Sequence, residues 1–244
     1  MIPQILELIT EGYFTLNPVY KGLDMSLKCF QEYVLNILSD KNILNLSFVV
    51  IDTSLRRIVG VKIIKDFSLV QNHPNLYGNP KQQFKHNLDC SVMHKYVQKN
   101  YPHGVACTQV LMSVDLSLNY QEVVNLIQIM QLQQIKQMYL NGYKKDISAL
   151  YIKKYFEIIT TVAGSIKEKW DIQSLQFNGK YPFLQNQDGA ILYVANIDDL
   201  ILIKNFGENI IKQRRLIEQR SQNPANIRYQ KINQNKHELV TPKL

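Results

Sequence analysis

The chain has 244 residues of which 45% are apolar, enough for a sizeable core in one large domain or two small ones, and this excludes a wholly disordered protein. Its 28 Lys and Arg against 20 Asp and Glu leave a formal charge of +8, which admits nucleic acid, an acidic membrane or an acidic protein as partner classes. No run approaches the roughly 18 uninterrupted apolar residues of a membrane span, and Met1-Ile2-Pro3-Gln4 lacks the basic-then-apolar layout of a secretory signal.

The expectation is therefore a soluble intracellular protein with no membrane span, cytoplasmic or in an organellar assembly. Cys29, Cys90 and Cys107 are odd in number and too dispersed for a zinc ribbon or redox pair, so free thiols in a reducing compartment are expected. The 22 Gln and 21 Asn are scattered through periodic segments rather than gathered in tracts.

In chain order, apolar residues at helical spacing predict helices over 3–13 and 25–39, the second capped by Asp24 or Ser26. Leu46–Ile51 and Ile58–Ile64 are β-branched runs around a short polar link and predict a hairpin. After an Asn-, Pro- and Gly-rich loop at 71–80, Phe84, Leu88, Val92, Met93, Tyr96 and Val97 mark a helix ending near Asn100. A strand over 105–116 and a helix over 121–141 follow, the helix stopped by Asn141-Gly142. The remainder predicts a strand near 147–153, a helix near 154–170, a short strand near 173–178 and a longer one over 190–204. Such an order mixes antiparallel and crossover connections around one sheet.

That order, together with three local stretches, resembles the GNAT N-acetyltransferase superfamily, and in pattern the arylalkylamine or dopamine-type members. Gly12-Tyr13-Phe14-Thr15-Leu16-Asn17-Pro18-Val19 resembles their Phe-x-x-Glu-Pro-Leu opening. Phe48–Ile64, with Arg57-Ile58-Val59-Gly60, is similar to their second and third strands, and Val114–Tyr143 to their fourth strand, pyrophosphate loop and third helix. The resemblance spans roughly residues 5–204 and implies an α/β (α+β) fold with a mixed, mostly antiparallel sheet flanked by helices.

In the family the loop after the fourth strand reads Arg/Gln-x-x-Gly-x-Gly/Ala, and its bare amides at a helix amino terminus hold the pyrophosphate of acetyl-CoA. Counting from Val114, this chain places Asn119 at the Arg/Gln position, Gln121 beside it, Glu122 at the first Gly and Val124 at the Gly/Ala position. A carboxylate aimed at a diphosphate costs about 4 kcal/mol at 4 Å and an effective dielectric of 20. The carboxylate of Glu122 is expected to act that way unless it serves only as a first-turn acidic residue. The Glu of the family's Glu-Pro pair, which the resemblance implies is the general base, is Asn17 here, and an amide has no usable basicity near neutral pH.

No catalytic residue, cofactor or metal ligand is assigned on this reading. His73, His86, His94, His103 and His237 show no ligand spacing, and Tyr139, Tyr143, Tyr151 and Tyr155 are read as core or rim aromatics rather than acids.

The domain is expected to end near 204, followed by a basic extension over 205–244. From Lys204 to Leu244 nine basic residues face three acidic ones, so most of the positive charge lies there and the body is nearly neutral, which disfavours nucleic acid. Arg214, Arg215, Arg220, Arg228 and Lys231 are the expected partner-binding residues of this tail, which has little to bury and would gain order on a neighbouring protein. Three functions stay open: a GNAT-like structural or interaction subunit of a larger protein assembly that has lost catalysis, an active acetyl-CoA-dependent N-acetyltransferase acting on an amine and, least favoured, nucleic-acid binding through the tail.

Overall fold

A computed structural model describes residues 1–70, 79–162 and 165–203, so the tail and its five expected partner-binding residues lie outside the described residues. Ile5, Leu8 and Ile9 recur at helical spacing and are buried along α1 (Ile2–Ile9). The expected helix over 3–13 then widens into a π-helical turn, Thr10–Phe14, which carries the buried Gly12 and Tyr13. Asn17 and Pro18 start the short α2 (Pro18–Gly22): the Asn17 side chain accepts from the Val19 amide at 2.9 Å and Pro18 fills the first turn. Ser26 caps α3 (Leu27–Ser39) through the Cys29 amide at 3.3 Å, while Asp24 takes a positive φ of 48° instead. The single turn α4 (Lys41–Leu44) leads into the sheet.

Strands β1 (Phe48–Asp52) and β2 (Arg57–Asp66) form the expected hairpin. In its link the Asp52 carboxylate accepts from the amides of Ser54 and Leu55, and Arg56 adopts φ 51°. After it come α5 (Pro80–Val92), α6 (His94–Val97), β3 (Ala106–Val114), α7 (Tyr120–Leu140), β4 (Lys145–Leu150), α8 (Lys153–Val162), β5 (Ser165–Trp170), β6 (Ala190–Asn196) and α9 (Ile197–Ile203). Among the described residues six strands lie in the order β1-β2-β3-β4-β6-β5, and every neighbouring pair is antiparallel except β3 and β4.

Four boundaries differ from expectation. The helix expected to run to Asn100 breaks at Met93, whose ψ of 9° leaves the helical region, giving α5 and α6. The helix expected over 154–170 stops at Val162, and Ser165–Trp170 pairs with β6 as the edge strand. Near 173–178 only an isolated bridge, Phe177 to Lys180, forms where a strand was expected. The last strand ends at Asn196 because Asp198 and Asp199 supply an acidic first helical turn, and the Asn196 side chain donates to Asp199 at 3.0 Å.

The helix stop at Asn141-Gly142 forms through a positive φ of 85° at Gly142, with the Tyr143 amide returning to the Met138 carbonyl at 3.0 Å. One apolar core joins the layers, from Ile5 and Phe30 through Ile63 and Leu111 to Ile135 and Tyr193. Tyr13, Phe14, Tyr20 and Phe30 pack ring on ring between α3 and the π-helical turn.

Candidate functional site: the divergence of β3 and β4

Parallel strands β3 and β4 pair only at Ala106 with Lys145 and Cys107 with Asp146, although the strands are nine and six residues long. Beyond that point the ladder is lost and each strand's backbone needs other partners. An irregularity opposite Ile63 and Ile64 of β2 inserts Val110 into β3, which turns the Gln109 amide toward β4. There it donates to the Ser148 hydroxyl at 3.0 Å, and Ser148 in turn donates to Asp146 at 2.8 Å.

The far end of β3 is covered by the amino-terminal segment. A side chain at Gly12 would place its Cβ 2.2 Å from the Ser113 hydroxyl and 2.6 Å from the Val114 carbonyl, so only glycine lets the π-helical turn lie this close. Ser113 donates to the Leu8 carbonyl at 2.5 Å, and from α8 the Tyr155 hydroxyl donates to the Gly12 carbonyl at 2.5 Å. Val114 is fully buried beneath these contacts.

From Val114 the chain turns outward to α7. Asp115 accepts from the Ser117 amide at 2.8 Å and pairs with Arg57 at 2.8 Å. Asn119 caps α7 by accepting from the Glu122 amide at 3.0 Å, and the Glu122 carboxylate accepts from the Asn119 amide at 2.9 Å, closing a capping box. Glu122 therefore turns back onto the helix start and acts in this geometry as a first-turn acidic residue. The exposed Gln121 bonds along the helix to Asn125 at 2.9 Å. Val124 is half-buried and lines an open groove of about 630 Å³ with Tyr120, Gln128, Lys153, Lys154 and Glu157, and Val114 is not in its walls. Lys154 lies over the Tyr120 ring at 5.6 Å, and Lys153 pairs with Asp188 at 3.0 Å.

Asn17 is completely buried and spends its side-chain oxygen on capping α2. The tyrosine hydroxyls at 143, 151 and 155 are each hydrogen-bonded, to Asp66 at 2.9 Å, to Asp89 at 2.7 Å and to Gly12. Burial raises all three above the ordinary phenol range. Among the described residues no group of three or more His, Cys, Asp or Glu could hold a metal ion, and no helix is long and apolar enough to cross a membrane.

Two polar clusters escaped the sequence reading. On the α7 face of the sheet, fully buried Lys62 donates to Gln131 at 2.5 Å, Gln131 donates to the Tyr193 hydroxyl at 3.2 Å, and Gln134 donates to buried Asp146 at 2.7 Å. Burial lowers Lys62 to about 7 and raises Asp146 to about 6, each partly opposed by the charge of the other. On the opposite face, Lys85 of α5 grips both carboxylate oxygens of Asp89 at 2.8 and 2.6 Å, next to a cavity also lined by Tyr33, Lys65, His86 and Thr108. A lysine inside the apolar run Ile58–Ile64 was a visible signal for the first cluster; the i,i+4 Lys-Asp pair was a weak one for the second.

No protein-family model matches the chain, and no curated protein matches it in sequence. Solved structures do match. The C-terminal condensation domain of Ebony, in complex with beta-alanyl-dopamine, superposes with a TM-score of 0.68 at 14% identity, covering 80% of this chain and 93% of its own. A putative arylalkylamine N-acetyltransferase 7 of Aedes aegypti gives 0.65 at 13% identity over 81% and 84% of the two chains. Arylalkylamine N-acetyltransferase 2 of the same mosquito gives 0.62 at 13% over 80% and 94%. With its six-stranded, mostly antiparallel sheet, its one diverging parallel pair and these likenesses, the chain has the GNAT-like acetyltransferase fold.

Proposed function

We propose that this GNAT-like chain does not transfer acetyl groups and serves as a structural or interaction subunit of a larger protein assembly. One observation carries the reading: the opening between β3 and β4 is bridged by the protein's own hydrogen bond from Gln109 to Ser148, and the far end of β3 is covered through Ser113 to Leu8 and Tyr155 to Gly12. A thioester and an acceptor amine meeting there would have to break buried bonds, each worth about 1 kcal/mol net and more when one partner is left unpaired. The closed capping box adds to this, since Glu122 takes up an amide and places a negative charge where a pyrophosphate would need donors. Asn17 supplies no general base in place of the family's Glu. The basic residues Arg214, Arg215, Arg220, Arg228 and Lys231 supply the surface that grips a neighbouring protein, with nucleic acid the less favoured partner.

A second reading, an active acetyl-CoA-dependent N-acetyltransferase, is favoured by one feature. The open groove beside Val124 carries Lys153 and Lys154, which suit an anionic cofactor. The fold does not decide between these readings, because a fold shared at 13–14% identity does not carry its neighbours' activities with it. The test incubates the full chain with acetyl-CoA and a panel of arylalkylamines and polyamines, and follows release of free thiol. Release no faster than without protein is expected; amine-dependent turnover overturns the proposal.

A further inference from the structure

We propose that Lys65 is a carbonyl-accepting lysine, whose amine, set in the cavity between β2, β3, α3 and α5, takes a small free aldehyde as an imine. Lys65 lies opposite Thr108 in the β2–β3 ladder and is only 5% exposed. Its side chain makes one hydrogen bond among the described residues, a long one of 3.4 Å to the Leu69 carbonyl. An ammonium has three protons to place, so a buried one held this loosely is poorly compensated in its charged form.

Asp89, the carboxylate with the largest favourable influence on the charge of Lys65, makes no hydrogen bond to it among the described residues. Asp89 is committed to Lys85 through both oxygens and to the Tyr151 hydroxyl. Asp89, Cys90 and Asp40 favour the charged form of Lys65, while burial, the largest influence, and Lys85 oppose it, leaving its pKa at about 8.

The other titratable groups at or beside the cavity do not compete for the carbonyl as imine-forming amines. Lys85 is held protonated by Asp89, with its pKa raised despite burial. Burial raises the Cys90 thiol and the Tyr33 hydroxyl, so neither is ionised near neutral pH, and it lowers His86, which is then neutral. Lys65 alone among them is a primary amine with a sizeable free-base fraction between pH 7 and 8, and only a primary amine goes on to an imine by loss of water.

Size selects the electrophile. The cavity holds about 30 Å³, lined by polar groups of Tyr33, His86, Thr108 and Gln109. That is room for two or three small heavy atoms beyond the wall, so an acyl group on a bulky carrier does not enter and a free one- or two-carbon aldehyde does. The Lys65 nitrogen attacks the carbonyl carbon, the carbonyl oxygen gains two protons and departs as water, and a carbon–nitrogen double bond remains. The balance is amine plus aldehyde to imine plus water, with no oxidant or reductant. This chemistry is independent of whether acetyl-CoA binds.

The test treats the full-length folded protein with acetaldehyde and cyanoborohydride from pH 6 to 9, then maps the ethylated lysines by peptide mass spectrometry. At pH 7.5 a lysine of pKa about 8 has a free-base fraction roughly a hundredfold above that of an ordinary one. Lys65 is expected to react at least about tenfold faster than exposed Lys21 and Lys28, with a midpoint near pH 8, and to lose this lead in urea. Octanal, too long for the cavity, is expected to show no preference for Lys65. Lys65 reacting no faster than Lys21 and Lys28 in the folded chain, or equally favoured by octanal, overturns the proposal, and neither readout depends on a variant that has to fold.

Discussion

The Tyr155 hydroxyl donates to the Gly12 carbonyl at 2.5 Å and so ties α8 to the π-helical turn across the end of β3. Removing that hydroxyl leaves the Gly12 carbonyl without this donor in a buried site. Tyr155→Phe is expected to lower unfolding free energy by about 1–2 kcal/mol in urea denaturation, with little change in the denaturant slope.

The same junction depends on the absence of a side chain at position 12. Gly12→Ala places a methyl against the Val114 carbonyl, which is backbone and yields only if the strand end shifts. Destabilisation of about 1–3 kcal/mol or more is expected, larger than for alanine at a half-buried glycine such as Gly104, where the methyl meets nothing and only a φ of 83° opposes it. Thermal unfolding of the two variants side by side checks the order.

The capping box at α7 predicts a local effect. Asn119→Ala removes the acceptor for the Glu122 amide and is expected to cost about 1 kcal/mol, whereas Glu122→Gln keeps the geometry and costs less. Hydrogen exchange confined to the first turn of α7 distinguishes this from a global change.

Lys62 and Asp146 predict a pH dependence of stability. Asp146 has a folded pKa of about 6, above its unfolded value, so it contributes stability at low pH that is lost as pH rises toward 6. Lys62 has a folded pKa of about 7, below its unfolded value, so stability is regained as pH rises from 7 toward 10. The two together give a stability minimum between about pH 6 and 7. Unfolding free energies measured from about pH 4 to 10 are expected to show this minimum in the native chain and to lose it in Lys62→Met/Asp146→Asn.

Much of the fold was legible because its periodic segments are long. The hairpin at Phe48–Asp66 and the 21-residue α7, closed by Gly142, follow from β-branched runs and helical spacing. The end of α8 was not legible: Ser165–Trp170 carries three consecutive charged residues, Lys167-Glu168-Lys169, in place of an alternating pattern, and its strand character comes from pairing with β6 rather than from its own propensity. At the candidate site Asn119-x-x-Glu122 was readable as a capping box, and Asn17-Pro18 as a helix start. The cover over Val114 was not readable, because it joins residues as distant in sequence as Gly12 and Tyr155.

The proposed loss of catalysis requires that the chain not bind acetyl-CoA, and calorimetric titration of the chain with that cofactor tests this directly, beside Glu122→Gly/Val124→Gly, which restores small residues at both loop positions. No heat of binding from the native chain at millimolar acetyl-CoA is the predicted result, whether or not the double variant binds. Saturable micromolar binding by the native chain would contradict the account.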